Sequence, residues 1–540
     1  MSKTRAAKAA AIGISAMRQP SAKPTDIGPA TERVFEGRAR FANLSGIALW
    51  TAAMTFFWLW WLRGDHVIGW PSYLVVTLLL AWITGLPAYF IFIVHDARRM
   101  PQGGGPLPSG RIAVVVTRGS HDPLPVVQAT LRAVLDQIGC DFDVWLTDEN
   151  PDLEMMKWCM EHGVFTSTAS KGVEAPSPCR EAILTSFYDR FGYERYDFVV
   201  QLDAGQVPDK TYLREVIRPF RDPSIGYVSA PGIPDANAVS SWAARGKLYA
   251  EAGIRGLLQA GYNNGWAPLC IGKHCAVRTA ALKETGRPGP ELADDHSTSL
   301  AMNAGGWRGV HALDAITHGD GPATFAGAMA QEFDRSRSQA TALLQYSRTD
   351  LQKLPGWLKF QFLFSQLWYP LFSLSLAAIF TLPIITLLTG HSFVDVAYPA
   401  FLLHFLPIVG ALIALAFVWR ATGTFRPAKA KIVSWESIAL LLLRWPWSLM
   451  GSAAAIRDHV THSPSDFRVT QTETVTRALP LRVVAPYIVL SLASALAMAF
   501  AVDRKAAQGL FIFAAINAVI YVALIVLITI RHAMENTLSR

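Results

Sequence analysis

The chain has 540 residues, of which 51% are hydrophobic and only 17% are charged. Because an average soluble domain is about 25% charged, this composition excludes an ordinary soluble protein. The net charge of +8 is concentrated in an N-terminal tail and in short loops, without the pattern of a nucleic-acid-binding module. We therefore expect membrane lipid, and no nucleic acid, as a partner.

Residues 1–40 form a basic tail rich in Ala, Lys and Ser, which predicts disorder. Two apolar segments follow within residues 41–99 and four more lie later in the chain, each close to the roughly 20 residues that cross a bilayer. They are Leu44–Leu62, Tyr73–Val94, Trp368–Leu388, Tyr398–Val418, Val483–Val502 and Leu510–Ile530. A buried core helix is the alternative for any one of them, but six in one chain favour membrane spans.

Basic residues predict the orientation of these spans. They cluster in the tail, at Arg98 and Arg99, and between Arg420 and Lys431. An even number of spans separates the three clusters, so they share one side, and basic loops mark the cytoplasmic side. Arg504 and Lys505 are a minor exception on the opposite side.

A polar α/β domain is predicted over residues 111–355, between the second and third spans. Its strands are predicted at Arg111–Thr117, Phe142–Leu146 and Asp197–Leu202, with a helix at Pro125–Gln137. Strands that alternate with helices predict a parallel sheet, and such sheets bind ligands beyond the carboxyl ends of their strands.

Two acidic residues stand at such strand ends. Asp148 lies two residues past the second predicted strand, and Asp203 directly follows the third. We therefore expect both carboxylates at the ligand-binding edge of the sheet.

Beyond the domain, two spans are predicted within residues 356–420 and two within 479–540. Residues 421–478 between them contain Ser434–Ile456, which is apolar but interrupted by Glu436, Arg444 and Pro446. Interleaved Arg, Trp and Leu favour a helix in the membrane interface. A seventh span, which would place the C-terminus outside, is the alternative.

A second acidic cluster is Asp294-Asp295-His296, followed by Ser, Thr and an apolar run. Adjacent carboxylates are more often a solvated pair than a catalytic one. Here the following residues predict a helix N-terminus, which stabilises an anion. A carboxylate so placed can act as a general base, and carboxylates also hold Mg²⁺ together with phosphate oxygens.

The order of these clusters among the apolar segments resembles the family 2 inverting glycosyltransferases of the cellulose synthase, hyaluronan synthase and curdlan synthase type. Trp145–Glu149 and Gln201–Gly205 resemble the acidic donor-site elements of that family, and Leu292–Thr298 resembles its Thr-Glu-Asp element. The segment from Gln331 resembles its Gln-x-x-Arg-Trp element, and Phe467–Thr472 its gating loop. The resemblance implies a GT-A-like α/β domain, which binds a nucleotide sugar, fused to about six transmembrane helices plus interfacial helices.

The resemblance also implies roles for individual residues. Asp295 would be the catalytic base, Asp148 would hold the uridine, and Asp203 would contact the diphosphate or a Mg²⁺ or Mn²⁺ ion. The other expected donor-site residues are Arg180, Gln331, Arg335 and Arg337. The expected acceptor or channel residues are Asp294, Trp307, Trp368 and Tyr369, and those of the gating loop are Phe467, Val469 and Thr470. For Trp368 and Tyr369, an aromatic belt at the membrane interface is an equal alternative.

Several positions depart from the family pattern. Gly205 stands where the family has the second Asp of its metal-binding motif, so metal affinity should be weaker. Arg180 replaces a Lys, which preserves charge but not geometry. Asp334 and Arg335 replace the Arg-Trp pair, and Thr472 replaces the lysine of the gating loop.

Two functions are compatible with this pattern. In the first, the chain is a processive inverting transferase that polymerises a sugar, on resemblance glucose, from a UDP-sugar into a β-linked polysaccharide. It would pass the growing polysaccharide across a bacterial inner membrane, with accessory synthase subunits as possible partners. In the second, it is a catalytically impaired homologue that serves as a partner or regulatory subunit of a synthase. A transporter without chemistry is disfavoured, because it would leave the polar domain without a role.

Overall fold

A computed structural model of the chain describes residues 31–101, 105–119, 122–148, 151–168, 180–270, 274–286, 294–345, 347–462, 479–501 and 508–538. Strands of these residues are β1 (Glu32–Arg33), β2 (Arg98–Arg99), β3 (Ile112–Arg118), β4 (Asp143–Asp148), β5 (Phe165–Thr168), β6 (Phe198–Asp203), β7 (Val207–Pro208), β8 (Ile225–Ser229), β9 (Gly232–Ile233), β10 (Cys275–Arg278), β11 (Arg308–His311) and β12 (Thr317–His318).

The helices fall into a polar group and a long apolar group. They are α1 (Gly37–Trp61), α2 (Trp70–His95), α3 (Leu124–Leu135), α4 (Leu153–Glu161), α5 (Arg180–Phe187), α6 (Tyr212–Ile217), α7 (Trp242–Gly253), α8 (Thr279–Thr285), α9 (Asp294–Ala304), α10 (Phe325–Gln345), α11 (Ser347–Lys353), α12 (Gly356–Thr389), α13 (Tyr398–Ala421), α14 (Trp435–Thr461), α15 (Leu481–Ala499) and α16 (Gln508–Leu538). Helix α7 continues through a π-helical turn, Ile254–Leu258, to Tyr262.

The main sheet of the polar domain has the order β11-β8-β10-β6-β3-β4-β5. Its strands are parallel except for β10, which runs antiparallel to both β6 and β8. The GT-A-like α/β fold class is confirmed, but the expectation of a wholly parallel sheet is wrong. The predicted strands did not include β10. This four-residue strand lies between β8 and β6, both of which precede it in the chain.

The centre of this sheet is apolar on both faces. Val114, Val116 and Val200 pack with helix residues such as Leu131 on one face, whereas Val115 packs with Trp145 and Tyr188 on the other. Continuous burial along β3 is typical of a parallel strand covered on both sides. The β-branched run that predicted this strand is thus the middle of the core.

A smaller sheet lies beside the end of β6. Its order is β7-β12-β9, with β12 parallel to β9 and antiparallel to β7. Because β7 begins only four residues after Asp203, this sheet connects the carboxyl edge of the main sheet to α10. The small sheet therefore links the start of α10 to the carboxyl edge through hydrogen-bonded strands.

Among the described residues, seven helices are long and apolar enough to cross a membrane: α1, α2, α12, α13, α14, α15 and the Phe511–Glu535 part of α16. These helices are compatible with a multi-pass membrane protein. In α14, 56% of an apolar stretch of 18 residues is buried inside the protein. The corresponding share in the other six helices is 17–33%. Helix α14, which contains the segment predicted to lie in the interface, thus packs mainly against protein.

Helix α14 packs tightly along α10. Gly451 of α14 faces Phe333 and Ser336 of α10, both of which are fully buried. A Cβ atom at Gly451 would overlap the Ser336 hydroxyl and the Phe333 carbonyl oxygen. The two helices approach closely because this position carries no side chain.

We predict that Gly451→Ala destabilises the protein, because a backbone carbonyl cannot give way without shifting α10. The cost of such overpacking is about 1–3 kcal/mol, so the thermal unfolding midpoint of the detergent-solubilised protein should fall by a few degrees. Gly410→Ala in α13 is the matched control, since a Cβ there meets nothing within 4 Å. An equal midpoint for both variants would show that the contact is not tight.

The small sheet also carries a histidine that lies between two carboxylates. His318 Nδ1 lies 2.9 Å from Asp235 Oδ1, and its Nε2 lies 3.4 Å from Asp209 Oδ1. The hydrogen bond to Asp235, together with both negative charges, raises the pKa of His318 above its usual value. When it is protonated, the ring ties β12 to the loops beside it.

This pKa shift makes stability depend on pH. A group with a raised pKa in the folded state stabilises the fold at low pH, and this contribution is lost as pH rises through the folded-state pKa. We predict that His318→Gln abolishes this part of the decline in unfolding temperature between pH 6 and 9. His391→Gln, in an exposed loop, should retain the wild-type profile; a retained profile in His318→Gln would contradict the assignment.

Candidate active site

The carboxyl edge of the main sheet brings together acidic residues that are far apart in sequence. Thr117 of β3 is paired with Asp203 of β6, and Arg118 of β3 is paired with Asp148 of β4. The Thr117 hydroxyl donates to Asp203 Oδ1 at 2.6 Å. The structure thus places Asp148 and Asp203 on either side of the end of β3, at the edge where the sequence predicts a ligand.

Arg118 neutralises the acidic residues beside it. Its Nη1 donates to Asp148 Oδ2 at 2.9 Å and to Asp152 Oδ2 at 2.8 Å. The Asp148 carboxylate is almost fully buried, where an unpaired charge would be costly. The Met155 backbone N–H, followed by Arg118, lowers the pKa of Asp152.

Arg118 is a site residue that sequence reasoning missed. Its position directly after the predicted strand Arg111–Thr117, at the edge where a ligand was expected, was the available signal. A small pocket opens beside it, lined by Leu146, Asp148, Pro151, Met155, Met156, Thr166 and Thr168. Apolar walls with one carboxylate suit a flat organic group that donates a hydrogen bond.

The turn after Asp203 is built around glycine. Gly205 has φ of +90° and donates its backbone N–H to Thr130 Oγ1 at 3.0 Å. Side chains are strained in this left-handed region. The position that would carry a second metal-binding carboxylate therefore has a backbone that disfavours one, and in the described part of the chain no group of three or more His, Cys, Asp or Glu residues could hold a metal ion.

Helix α9 begins at Asp294, which places the acidic pair in its first turn. The helix ends next to the start of β11, where the Trp307 N–H donates to the Met302 carbonyl. Since β11 starts at the amino edge of the sheet, the first turn of α9 lies toward the carboxyl edge. The backbone of Asp294 and Asp295 is thus directed to the edge that holds Asp203.

Six of the predicted site residues have side chains outside the described part of the structure. The side chains of Arg180, Asp294 and Asp295 lie outside the described part of the structure, although Arg180 and Asp294 begin α5 and α9. The gating-loop residues Phe467, Val469 and Thr470 also lie outside the described residues. Their roles stay predictions.

Trp307 does not join the other predicted site residues. It precedes β11 at the amino edge, opposite Asp148 and Asp203, and its Nε1 donates to Glu284 Oε2 at 3.2 Å. The expectation that it contacts the acceptor is corrected by the direction of β11. A glycine-rich turn next to a tryptophan was a misleading signal, because here it only returns the chain from α9 to the sheet.

Helix α10 carries the motif that begins at Gln331. The Gln331 side-chain oxygen accepts a hydrogen bond from Lys247 Nζ of α7 at 2.6 Å. Four residues later, Arg335 Nη1 donates to Glu251 Oε1 at 3.2 Å. Glu251 also pairs with Arg255, whose Nε lies 3.1 Å from Glu251 Oε2. Both α7 residues were missed by sequence reasoning, since no spacing links them to α10.

The charges in this cluster alter one another. Burial opposes ionisation of Glu251, but Arg255, Lys247 and Arg335 outweigh burial and hold its pKa well below the usual range. Burial, with the positive charges of Arg335 and Arg255, lowers the pKa of Lys247 to about 7. Glu251 is therefore a fixed anion, whereas Lys247 changes its charge near neutral pH.

A second face of α10 binds α14 instead. Arg337 Nε donates to Asp458 Oδ2 at 2.9 Å, and the Ser448 hydroxyl donates to Glu332 Oε1 at 2.6 Å. This placement does not support the predicted role of Arg337 as a phosphate ligand, because its guanidinium is paired with Asp458 of α14.

The two aromatic residues of α12 differ in their surroundings. Trp368 stacks on Phe372 at 6.1 Å between ring centroids and meets Phe90 of α2 edge-on. The half-buried Tyr369 instead lies within electrostatic range of Glu332, Arg335 and Glu251. The structure thus brings Tyr369, but not Trp368, close to the charged residues of α7 and α10 around Gln331.

Comparison with known proteins identifies the class of the polar domain. Residues 108–337 match the sequence model of the family described as "Glycosyltransferase like family 2". No curated protein sequence matches the chain.

Several solved structures share a loose likeness of fold. A mannosyltransferase from Pyrobaculum calidifontis, solved with GDP-mannose and Mn²⁺, is 15% identical, with 77% of this chain and 99% of that chain covered and a TM-score of 0.40. Residues 1–349 of S. aureus TarS are 13% identical, with coverages of 67% and 94% and a TM-score of 0.31.

A third likeness is to glucosyl-3-phosphoglycerate synthase from Mycobacterium tuberculosis, solved with Mn²⁺, UDP-glucose and glycerol 3-phosphate. It is 15% identical, with 37% of this chain and 70% of that chain covered and a TM-score of 0.26. Likenesses this distant support no argument about activity. The sequence match over residues 108–337, together with the acidic carboxyl edge of the mixed sheet, supports a glycosyltransferase family 2 domain in this part of the chain, and with it a transferase.

Proposed function

We propose that the protein is a processive inverting glycosyltransferase that uses a UDP-sugar, with glucose the first candidate, to extend a β-linked polysaccharide across the membrane. The observation that carries the proposal is the carboxyl edge of the main sheet, which holds Asp148 and Asp203 and toward which the first turn of α9 is directed. The polar domain is joined directly to long apolar helices. This arrangement can couple sugar transfer to passage of the product through a bilayer.

The chemistry follows from the residues at that edge. An acceptor hydroxyl would attack the anomeric carbon of the donor sugar from the face opposite the diphosphate. Its oxygen forms the new bond to the sugar, the bond from the sugar to the diphosphate breaks, and UDP leaves. Asp295 is proposed to take the hydroxyl proton as the general base, a role that contributes about 100-fold or more to rate.

Donor binding is assigned to the neighbouring strand ends. Asp148, held by Arg118 at the mouth of the small pocket, would accept a hydrogen bond from the uracil ring. Asp203, oriented by Thr117, would hold Mg²⁺ or Mn²⁺ together with phosphate oxygens. When bound, such an ion neutralises charge on the departing diphosphate. Gly205 offers it no ligand, so we expect weak metal affinity.

We place the domain at the cytoplasmic face of a bacterial inner membrane, on the argument from basic loops. The acceptor would be the end of the growing chain, near Gln331 and Tyr369. Accessory synthase subunits remain possible partners.

Gly205 also favours a second candidate function. Its left-handed backbone in place of a carboxylate suits a homologue that has lost catalysis and acts as a partner subunit. Such a protein could still bind a nucleotide at Asp148, so binding and turnover have to be measured separately.

We predict UDP release by the purified protein in nanodiscs with one of UDP-glucose, UDP-N-acetylglucosamine or UDP-galactose, in the presence of Mg²⁺ or Mn²⁺. Asp295→Asn should lower the rate about 100-fold or more, because the acceptor loses its base. Asp141→Asn, an exposed change at the opposite edge of the sheet, is the matched control and should match the wild type.

The failures of this experiment are informative. A rate of UDP release by Asp295→Asn within a few-fold of the wild-type rate would show that Asp295 is not the general base. An absence of release with every donor, combined with measurable UDP binding, would favour the partner-subunit function. Absence of both would count against either function.

A further inference from the structure

The surroundings of Lys247 leave its charge poorly matched. Its ammonium group carries three donors, and its partner is the uncharged side-chain oxygen of Gln331. Among the residues that the structure describes, no carboxylate lies within 4 Å of Lys247 Nζ, although the side chain is half-buried. A partly desolvated ammonium with so few partners has capacity to bind an anionic oxygen.

The two carboxylates near Lys247 are paired with other groups. Glu251, one helical turn along α7, pairs with Arg255 and Arg335. Glu332 of α10 accepts from Ser448 and lies 3.9 Å from Arg444 Nε of α14.

The cluster as a whole is cationic. Four cationic side chains face two anionic ones, and among the described residues α12 contributes the uncharged side chains of Tyr369 and Phe372, the latter beneath the Arg444 guanidinium. Its members are Lys247, Glu251, Arg255, Glu332, Arg335 and Arg444. An excess of positive charge in a half-buried site attracts an anion more strongly than the same charges do in water.

The cluster is connected to the carboxyl edge. Arg255 Nη1 donates to the Gly232 carbonyl of β9 at 2.7 Å. Strand β9 pairs with β12, and β12 pairs with β7, which starts just beyond Asp203. The cluster is therefore linked through the small sheet to the edge where we propose that the donor diphosphate is held.

We propose that Lys247, held by Gln331 and flanked by Arg335, binds an anionic oxygen of the substrate, either a phosphate oxygen of the nucleotide-sugar donor or the carboxylate of an acidic sugar in the acceptor. The inference rests on the proposed transferase function and adds to it a binding residue outside the motifs. The lowered pKa of Lys247 is consistent with a site that gains its anion from the substrate, because burial and the nearby guanidinium groups destabilise the ammonium until that anion arrives.

The test is equilibrium binding to the full chain in nanodiscs between pH 6 and 8.5. UDP-glucose and inorganic pyrophosphate are the phosphate probes, glucuronate is the carboxylate probe, and glucose is the neutral counterpart. UDP-glucose is the main phosphate probe because its diphosphate does not titrate near neutral pH. The variants are Lys247→Met and Lys247→Arg, with Lys283→Met, an exposed lysine of α8, as the matched control.

We expect the affinity of the wild type for one anionic probe to weaken as pH rises through about 7, because the ammonium loses its proton. Lys247→Met should weaken that binding about 10-fold or more at pH 6.5, the usual effect of losing a charge-assisted hydrogen bond. Lys247→Arg should retain binding and lose the pH dependence. Retention in Lys247→Arg also shows that the variants fold.

The probes separate the two sources of the anion. A loss confined to UDP-glucose and pyrophosphate assigns the donor phosphate, and a loss confined to glucuronate assigns an acidic acceptor. Binding of both anions by Lys247→Met at the level of Lys283→Met overturns the inference. If that result accompanies UDP release by the wild type, only the inference fails; if the wild type neither releases UDP nor binds any probe, the proposed function fails with it.

Discussion

Helix α10 has to satisfy two partners at once, and the arrangement of the protein depends on this constraint. Successive residues of an α-helix are about 100° apart, so residues four apart share a face. Gln331 and Arg335 face α7 of the polar domain, whereas Glu332 and Ser336 face α14. One helix thus fixes the transferase domain against the apolar helices, and each face uses polar contacts that a shift of one residue would break.

The same constraint explains why the charged motif of α10 is tolerated in a half-buried place. A buried charge is costly unless it is paired. Arg335 is paired with Glu251, and Arg337 with Asp458. Two of the cations expected to face the donor therefore have structural partners, which is why we assign the binding of a substrate anion to Lys247 instead.

At the carboxyl edge, the central strand β3 supplies the partners of both neighbouring acids. Thr117 orients Asp203, and Arg118 neutralises Asp148. Alternating side chains of a strand point to opposite faces, so these adjacent residues can serve two different strands. The turn that follows Asp203 needs glycine at 205 for its backbone, which ties the departure from the metal motif to local geometry.

The sequence by itself determined the apolar segments, the α/β class of the polar domain and the placement of Asp148 and Asp203 at strand ends, because these follow from local periodicity and from order along the chain. Only the tertiary structure decided that β10 is antiparallel, that Trp307 lies at the far edge, that Arg118 pairs with Asp148, and that Lys247 and Glu251 contact α10. Contacts such as that between Lys247 and Gln331 link residues 84 positions apart. They depend on how helices pack, and packing leaves no periodic trace in either segment alone.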